Sequence, residues 1–472
     1  MHGLGRRGVI LGRLISRYVG DRKFYRSVIA VAIPIMLQMG ITNFVNLLDN
    51  IMVGTLGTES ISGVSIVNQF VFVFNLLVFG AVSAAGIFTA QFHGSSDREN
   101  VRATFRFKLM ITFAVGVLGT VFFYIFSDVL INLFLHDEGN GANLEIAFGE
   151  AKSYLKYILI GLVPYSISQS YASTMRETEK TVLPMVASII SVATNFVLNL
   201  ILIFGLLGVP ALGVAGAAIA TSISRFAELG ILLVWGHAHR RDYYFLDGVF
   251  RTLGVPLYLI GRIATKGFPI IVNELFWSLA ITMRNQCYST RGLDALAASG
   301  VAQTIFNVFS VVYLAMGSAI AIMVGNRLGA GDIEGAKDTS RKMIAFSITA
   351  SLVIGLLLMI ATPYLPLLFD VGDSVRSLAS YMMRVNCLLM PVYAFANTSY
   401  YTIRSGGKVA ITMLMDSGFM WACVVPVSTV LAYFTGLNIY VLYAVCQATD
   451  ILKVIFASIL LKKYNWARRM VD

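Results

Sequence analysis

Long apolar runs separated by short polar segments dominate this sequence. A helix needs roughly 20 apolar residues to cross a lipid bilayer. Twelve runs satisfy that length, and they lie at about 27–53, 59–92, 104–127, 150–175, 181–206, 212–236, 262–289, 293–326, 341–367, 375–403, 408–434 and 438–461. The pattern predicts an all-α membrane protein with twelve transmembrane helices.

The polar segments between the runs alternate in charge. Lys and Arg are concentrated before the first run, after each even-numbered run and at the C-terminus, with Arg291 and Arg376 as exceptions. Because positive loops stay on the cytoplasmic side, this alternation places both termini there. We therefore expect a multi-pass protein of the inner (cytoplasmic) membrane. The basic segment 1–25 is expected to lie on the inner membrane surface, and no removable signal peptide is predicted.

Composition excludes several classes of protein. The chain of 472 residues is 57% hydrophobic and only 13% charged, whereas soluble domains are about a quarter charged. The net charge of +11 is spread between the apolar runs, which argues against nucleic acid as a partner. There is no phosphate-binding loop, catalytic triad spacing or metal-ligand cluster in the sequence. We expect no enzyme activity and no cofactor, so that any uphill transport uses an ion gradient.

The two halves of the chain repeat each other. An offset of 235 residues relates Pro34 to Pro269, and also Gly57 to Gly292, Gly94 to Gly329 and Asp97 to Asp332. Six spans precede the second copy, so both copies begin on the same side of the membrane. We predict a basic segment 1–25, an N lobe 26–236, a cytoplasmic linker 237–261, a C lobe 262–463 and a tail 464–472. Transporters built from repeats hold their substrate near the midplane between them.

Asp49 is the candidate for an ion site. It is the only charged residue between Arg26 and Glu59, and it shares a helical face with Gln38, Thr42 and Asn46. A buried acid in a membrane requires a partner, a proton or a cation. The alternative is that Asp49 is solvated at the outer interface. Its repeat counterpart is Arg284, so an ion site is expected in the first half only.

The fifth run carries a second polar face. Ser188, Ser191, Asn195 and Asn199 follow one another at helical spacing. The two asparagines could offer amide oxygens to a cation or to protonated Asp49. The two asparagines could equally form hydrogen bonds to other helices, and such bonds are common in membrane proteins.

The second half contains further acids. Glu274 has no cation near it on its own helix, which favours a substrate-cation or proton site; the alternative is a buried salt bridge with a distant arginine. Asp416 is either a second such site or the partner of Arg284. Two pairs are expected to neutralise each other, namely Asp450 with Lys453 and Arg225 with Glu228. Trp277 is one of several large side chains that either line a greasy cavity or contact lipid and core.

Several stretches together resemble the multidrug and toxic compound extrusion (MATE) transporters: IPIMLQMGITNFVNLLDNIMVGTLG, FTAQFHGSSDRENVR, NFVLNLILIFG with GVAGAAIATSISR, and GNRLGAGDIEGAK. The likeness covers about residues 25–465. It implies two lobes around a V-shaped cavity and export of organic, often cationic, compounds in exchange for H⁺ or Na⁺. We expect small organic substrates, the bilayer as environment and a monomer.

The resemblance also assigns residues. The family's helix-1 acid matches Asp49, and its helix-5 polar pair matches Asn195 and Asn199. Some members have an aspartate where this chain has Asn199, which leaves H⁺ and Na⁺ both open. Many members have a glutamate in helix 7, which Glu274 resembles. The substrate cavity is expected to include Glu274, Asp416, Gln38, Asn46 and Trp277.

We expect helix 1 to change conformation when the ion binds, because Pro34 permits a bend there. One alternative function is a lipid-linked saccharide flippase of the same superfamily, although the acids and the count of twelve spans argue against it. A receptor or purely structural membrane protein is the other alternative.

Overall fold

The computed structural model describes residues 17–134, 144–252, 254–369 and 371–471. The first sixteen residues of the predicted interfacial segment lie outside these ranges, as do residues 135–143 of the loop after the third run.

The described residues fold into helices joined by short connections, and no strand occurs among them. The α-helices are α1 Arg22–Gly54, α2 Thr58–Gly94, α3 Arg98–Ile125, α4 Ser127–Phe134, α5 Leu144–Ile158, α6 Leu162–Glu177, α7 Val182–Phe204, α8 Gly213–Ala238, α9 Leu257–Ser289, α10 Leu293–Gly329, α11 Ile333–Ala361, α12 Asp373–Ser405, α13 Val409–Met413, α14 Val425–Phe434 and α15 Ile439–Lys463.

These helices provide the twelve predicted membrane segments. Within the described ranges, nine segments are long and apolar enough to cross a bilayer. The remaining three are α5 with α6, which one 3₁₀ turn joins at Leu159–Gly161, and the more polar helices α9 and α12. The fold class predicted from the apolar runs is confirmed.

Two helices begin earlier than the apolar runs indicated. Asp97 caps α3 by accepting the Asn100 N–H at 3.1 Å, and Asp332 caps α11 by accepting the Gly335 N–H at 2.9 Å. An acidic cap satisfies one of the free N–H groups at a helix start. The matching aspartates of the two repeats are therefore helix caps. The basic residues after Asp97, which we had assigned to a loop, lie in α3.

The chain divides into two compact units. The N unit comprises Leu37–Thr89 and Asp97–Ile271, and the C unit comprises the described residues of Met1–Met36, Ala90–Ser96 and Val272–Asp472. Each has its own apolar core. The core of the N unit includes Val67, Phe74 and Leu162, and that of the C unit includes Ala302, Met382 and Leu442.

Part of the predicted linker 237–261 packs onto the N unit. Phe245 is fully buried and meets the Phe105 ring edge-on at 5.1 Å. The Arg106 guanidinium donates to the Val249 carbonyl oxygen at 2.9 Å. This segment is thus anchored to α3 by apolar contact and by a buried hydrogen bond.

In the C unit, the ends of α2 and α10 cross at two glycines. A methyl group on Gly94 would overlap the Asn326 carbonyl, and one on Gly329 would overlap the Gln91 carbonyl. Both relationships obey the offset of 235 residues, so the contact is reciprocal. The glycines that the repeat singled out are required because backbone meets backbone there.

Candidate functional site

Close packing of α7 against α8 builds the candidate ion site of the N unit. Gly205 ends α7 in the left-handed region, with φ 73°, and the Leu212 N–H then returns to the Leu202 carbonyl at 2.8 Å. A Cβ on Gly216 would lie 2.6 Å from that same carbonyl oxygen. Only glycine permits this approach, which sets the polar face of α7 opposite Thr221 on α8.

Asp49 lies against this polar face. Asn199 Nδ2 donates to Asp49 Oδ1 at 2.6 Å. Asn195 and Asn199 are 5% and 1% exposed, and Asp49 itself is half-buried. The structure therefore brings together the acid of α1 and the two asparagines of α7, as the sequence predicted. It also adds Thr221 of α8, which lies in a small-residue stretch whose pattern predicts close packing first and a ligand second.

Asn195 joins Asp49 to α8. With its amide nitrogen towards Asp49, Asn195 Nδ2 lies 2.9 Å from Asp49 Oδ2 and 3.1 Å from Oδ1, and its oxygen accepts from the Thr221 hydroxyl at 3.1 Å. The opposite orientation would set the Asn195 oxygen against the carboxylate, where two acceptors repel each other. The Asp49 carboxylate is thus satisfied by N–H groups of both asparagines.

This arrangement suits the ionised carboxylate, because both amide N–H groups that face Asp49 donate to it. The Asn199 Oδ1 atom is also buried and has no hydrogen-bond partner among the described residues. The site thus holds an oxygen that a bound ion could use.

Arg284 occupies the equivalent position in the second repeat, and neighbouring side chains of the protein compensate its charge. Arg284 is 9% exposed. Its Nη1 atom lies 3.2 Å from Gln447 Oε1 and 4.0 Å from Asp450 Oδ2. A fixed positive charge at this position would repel a bound cation. An ion site in the first repeat only stays a prediction, and a paired cation occupies the corresponding position of the second repeat.

Comparison with known proteins decides the family. The MatE family model matches residues 34–201 and again residues 269–456. The two matched segments begin at the two prolines that are separated by the repeat offset. This chain belongs to the MatE family. Such proteins are membrane transporters, not enzymes.

Relatives of this MATE protein carry the names of multidrug resistance proteins. The probable multidrug resistance protein NorM of Thermotoga maritima is 25% identical over 414 residues, which cover 88% of this chain and 87% of the relative. The probable multidrug resistance protein YoeA of Bacillus subtilis is 23% identical and covers 90% and 91%.

Solved structures show the same fold. A MATE family transporter of the MOP superfamily in an outward-facing conformation superposes with a TM-score of 0.83 at 19% identity, over 95% of this chain and 97% of the other. A mutant of the Vibrio cholerae MATE transporter VcmN gives a TM-score of 0.84 at 17% identity, over 94% and 98%.

In the C unit of this MATE transporter, Asp416 has a different partner from the one expected. Lys453 Nζ lies 2.5 Å from Asp416 Oδ1, and Asn273 Nδ2 donates to Asp416 Oδ2 at 3.1 Å. The direct ion pair of Lys453 is with Asp416, and Asp450 on its own helix lies only within electrostatic range of Lys453. The pairing of Asp416 with Arg284 is wrong, since Arg284 Nη1 lies 4.0 Å from Asp450 Oδ2 instead.

Asp416 lies in a widened helical turn. Residues Leu414–Gly418 and Met420–Val424 are π-helical. Pro426 follows, and its ring cannot donate to the carbonyl four residues earlier. Asn273 Oδ1 accepts the Ser417 N–H at 3.2 Å while its nitrogen holds Asp416. One amide thus stabilises both the irregular backbone and the acid, an arrangement often found at functional sites.

The other predicted cavity residues are distributed over both units. Glu274 is half-buried and lies within electrostatic reach of Arg404 and Asp416. Trp277 packs with an apolar cluster that includes Met420. Gln38 Oε1 accepts from Arg176 Nη1 at 3.3 Å. The side chain of Asn46 lies outside the part of the chain that is described. Membership of a substrate cavity stays a prediction for these residues.

Sequence reasoning missed an ion pair in the N unit that contains a fully buried lysine. Lys108, which is 0% exposed, pairs with Glu177 and also lies 3.2 Å from the hydroxyls of Ser173 and Thr174. The charge pattern groups Lys108 with the basic residues that follow the second apolar run. Its position ten residues inside the helix that Asp97 caps, with a glutamate ending α6, was the only available signal.

The predicted Arg225–Glu228 pair is not formed as a direct ion pair among the described residues. The Arg225 guanidinium lies over the Tyr165 ring instead, 5.1 Å from its centre. An arginine can be accommodated in this way by the negative face of an aromatic ring.

Proposed function

We propose that this protein is a secondary active antiporter that exports organic, cationic or amphipathic compounds in exchange for H⁺ or Na⁺. The observation that carries the proposal is the Asp49 site. One acid faces two buried amides and a hydroxyl, and the Asn199 oxygen among them has no partner in the described part of the chain. The names of the relatives support the class of substrate.

The Asn195 amide supplies a way to register ion binding. With the carboxylate bare, its nitrogen faces Asp49 and its oxygen is held by Thr221. A proton or Na⁺ on Asp49 would instead favour an amide oxygen that faces it, so we propose that ion binding turns the Asn195 amide by half a turn. The hydrogen bonds between α1, α7 and α8 are then exchanged. Since Asp49 is on α1, this exchange biases the conformation of the helix that contains Pro34.

Antiport follows if the ion and the substrate favour different conformations. Among the C-unit acids, Asp416 is already balanced by Lys453. We therefore assign the recognition of a substrate cation to Glu274. The charge pattern of the loops supports an inner-membrane location with both termini in the cytoplasm. We expect the monomer to be the transporting unit.

Transport in proteoliposomes tests this function. A fluorescent organic cation is loaded, and H⁺ and Na⁺ gradients are imposed separately. We expect one of them to drive efflux in the wild type. The Asp49→Asn side chain keeps the shape of aspartate but cannot ionise. In this variant, ion-driven efflux should fall to the rate of protein-free liposomes.

The matched control is Asp128→Asn. Asp128 is exposed and pairs with Lys152 at 2.8 Å, far in sequence from the asparagine site. This variant should transport like the wild type. Normal ion-driven efflux by folded Asp49→Asn would refute the assignment of the ion site, and efflux without either gradient would refute antiport.

A further inference from the structure

A basic cavity lies at one end of the C unit, apart from the acids discussed above. It has a volume of about 640 Å³ and is formed by the residues before α1, the start of α11, the end of α15 and the tail after it. Five of its lining side chains are basic and none is acidic: Arg17, Lys337, Arg341, Lys462 and Lys463.

Most of this positive charge is not balanced by the protein. Lys337 pairs with Glu334 at 2.8 Å. Within the described residues, no ion pair involves Arg17, Arg341, Lys462 or Lys463. Four cations around one cavity repel each other, so an anion bound among them would be stabilised.

Apolar side chains make up much of the remaining lining of the cavity. They include Ile344, Ile348, Phe395, Leu461 and Trp466, and Trp466 is only 7% exposed. A free inorganic anion gains nothing from apolar contacts, whereas an acyl chain would remove these side chains from water. The combination of basic and apolar lining matches the two parts of a phospholipid.

Specific contacts position the two segments that line the cavity, one before α1 and one after α15. On one side, the Tyr25 ring packs on Phe346 at 5.2 Å and its hydroxyl accepts the Gly20 N–H at 3.2 Å. These contacts turn the chain so that Arg17 and Tyr18 reach the cavity.

On the other side, buried Gln91 fastens the tail. Its Oε1 accepts the Met470 N–H at 2.6 Å, and its Nε2 donates to the Ser405 and Arg468 carbonyls at 2.9 and 3.4 Å. The wall is therefore preformed, which lowers the entropic cost of binding a ligand.

We propose that this cavity binds an anionic phospholipid, with its phosphate among Arg341, Lys462 and Lys463 and its acyl chain against Phe395 and Trp466. The basic residues lie at the ends of membrane helices, where lipid headgroups are found. Basic pockets between membrane helices recognise such headgroups by charge. The bound lipid joins α11, α15 and the tail, and the site does not depend on which ion drives transport.

Quenching of Trp466 fluorescence tests the proposal. The full-length protein is reconstituted with phosphatidylglycerol or phosphatidylcholine, each brominated on its acyl chains. The chain has only four tryptophans, so the Trp466 signal is the difference between the wild type and Trp466→Phe. We expect stronger quenching by the anionic lipid. In Arg341→Gln/Lys462→Gln/Lys463→Gln the preference should fall on the order of tenfold.

A matched triple variant removes the same charge elsewhere. Arg240, Arg241 and Arg469 are exposed and lie outside the cavity lining, so Arg240→Gln/Arg241→Gln/Arg469→Gln should keep the preference. Equal quenching by both lipids, or equal loss in both triple variants, would overturn the proposal. Protection by inorganic phosphate against the brominated anionic lipid would also overturn it, in favour of a free anion. Arg341→Gln alone provides the same comparison if the triple variant does not fold.

Discussion

Lys453 Nζ lies 2.5 Å from Asp416 on a different helical segment, although Asp450 is only three residues away on its own helix. Both members of the pair are largely buried, with side chains 11% and 19% exposed. The pair therefore ties α15 to the π-helical turn that contains Asp416.

This relationship predicts strong coupling between the two residues. Lys453→Met should destabilise the protein by about 3–5 kcal/mol, because it leaves a buried carboxylate without its cation. Lys453→Met/Asp416→Leu should recover most of that loss, since no buried charge remains of the pair. Unfolding of the purified protein in detergent measures both. A double variant that is no more stable than Lys453→Met would show that the ion pair contributes little.

The Thr221 hydroxyl should contribute to ion affinity through Asn195. Thr221→Val removes one hydrogen-bond partner of the Asn195 amide. It should raise the ion concentration for half-maximal efflux by about five- to tenfold, the equivalent of roughly 1 kcal/mol. The measurement is the ion concentration for half-maximal efflux.

Thr194→Val is the matched control for Thr221→Val. Both hydroxyls donate to a carbonyl of their own helix, Thr221 to Ala217 at 3.0 Å and Thr194 to Ile190 at 2.8 Å. The Thr194 hydrogen bond is exposed, whereas the Thr221 bond is partly buried. Thr194→Val should leave ion dependence unchanged. An equal effect of both substitutions would mean that Thr221 acts only through its helix.

The glycine crossing predicts a position-specific loss of stability. Gly94→Ala and Gly329→Ala each place a methyl group against a backbone carbonyl that cannot rotate away, so each should cost about 1–3 kcal/mol. Gly300, on the same helix as Gly329, has open space around it. Gly300→Ala should be neutral or stabilise by about 0.5–1 kcal/mol. Thermal unfolding compares the three, and equal melting temperatures would contradict the close contact.

Pro34 should affect the rate of transport rather than ion binding. It is buried within the continuous helix α1. Pro34→Ala restores a backbone N–H and stiffens the helix, since proline costs about 3 kcal/mol inside a helix. We expect slower turnover, on the order of tenfold, at an unchanged half-maximal ion concentration.

Pro269→Ala is the control for Pro34→Ala. Pro269 occupies the matching position in α9, in the repeat where Arg284 stands in place of the acid. It should stiffen its helix without slowing the ion-driven step. Similar slowing in both variants would show that the two prolines have a common mechanical role unrelated to the ion site.

Predictions from the sequence were most accurate where one helix contains the whole signal. The apolar runs locate the spanning helices, and Asn195 and Asn199 share a face because the helical period places them there. The repeat identified Gly94 with Gly329 and Asp97 with Asp332 before any contact was known. It could not show that the first pair is a backbone crossing and the second a pair of helix caps.

The membrane class, the twelve spans, the duplicated architecture and the polar faces of α1 and α7 follow from the amino-acid sequence, because length, hydropathy and period are local properties of the chain. The pairing of Lys453 with Asp416, the burial of Lys108 with Glu177 and the place of Thr221 beside Asn195 become visible only in the folded protein. Those partners lie on different helices. Their meeting depends on the rotation and depth of each helix in the packed protein, which close contacts such as that of Gly216 on Leu202 impose and which no spacing along one chain segment contains.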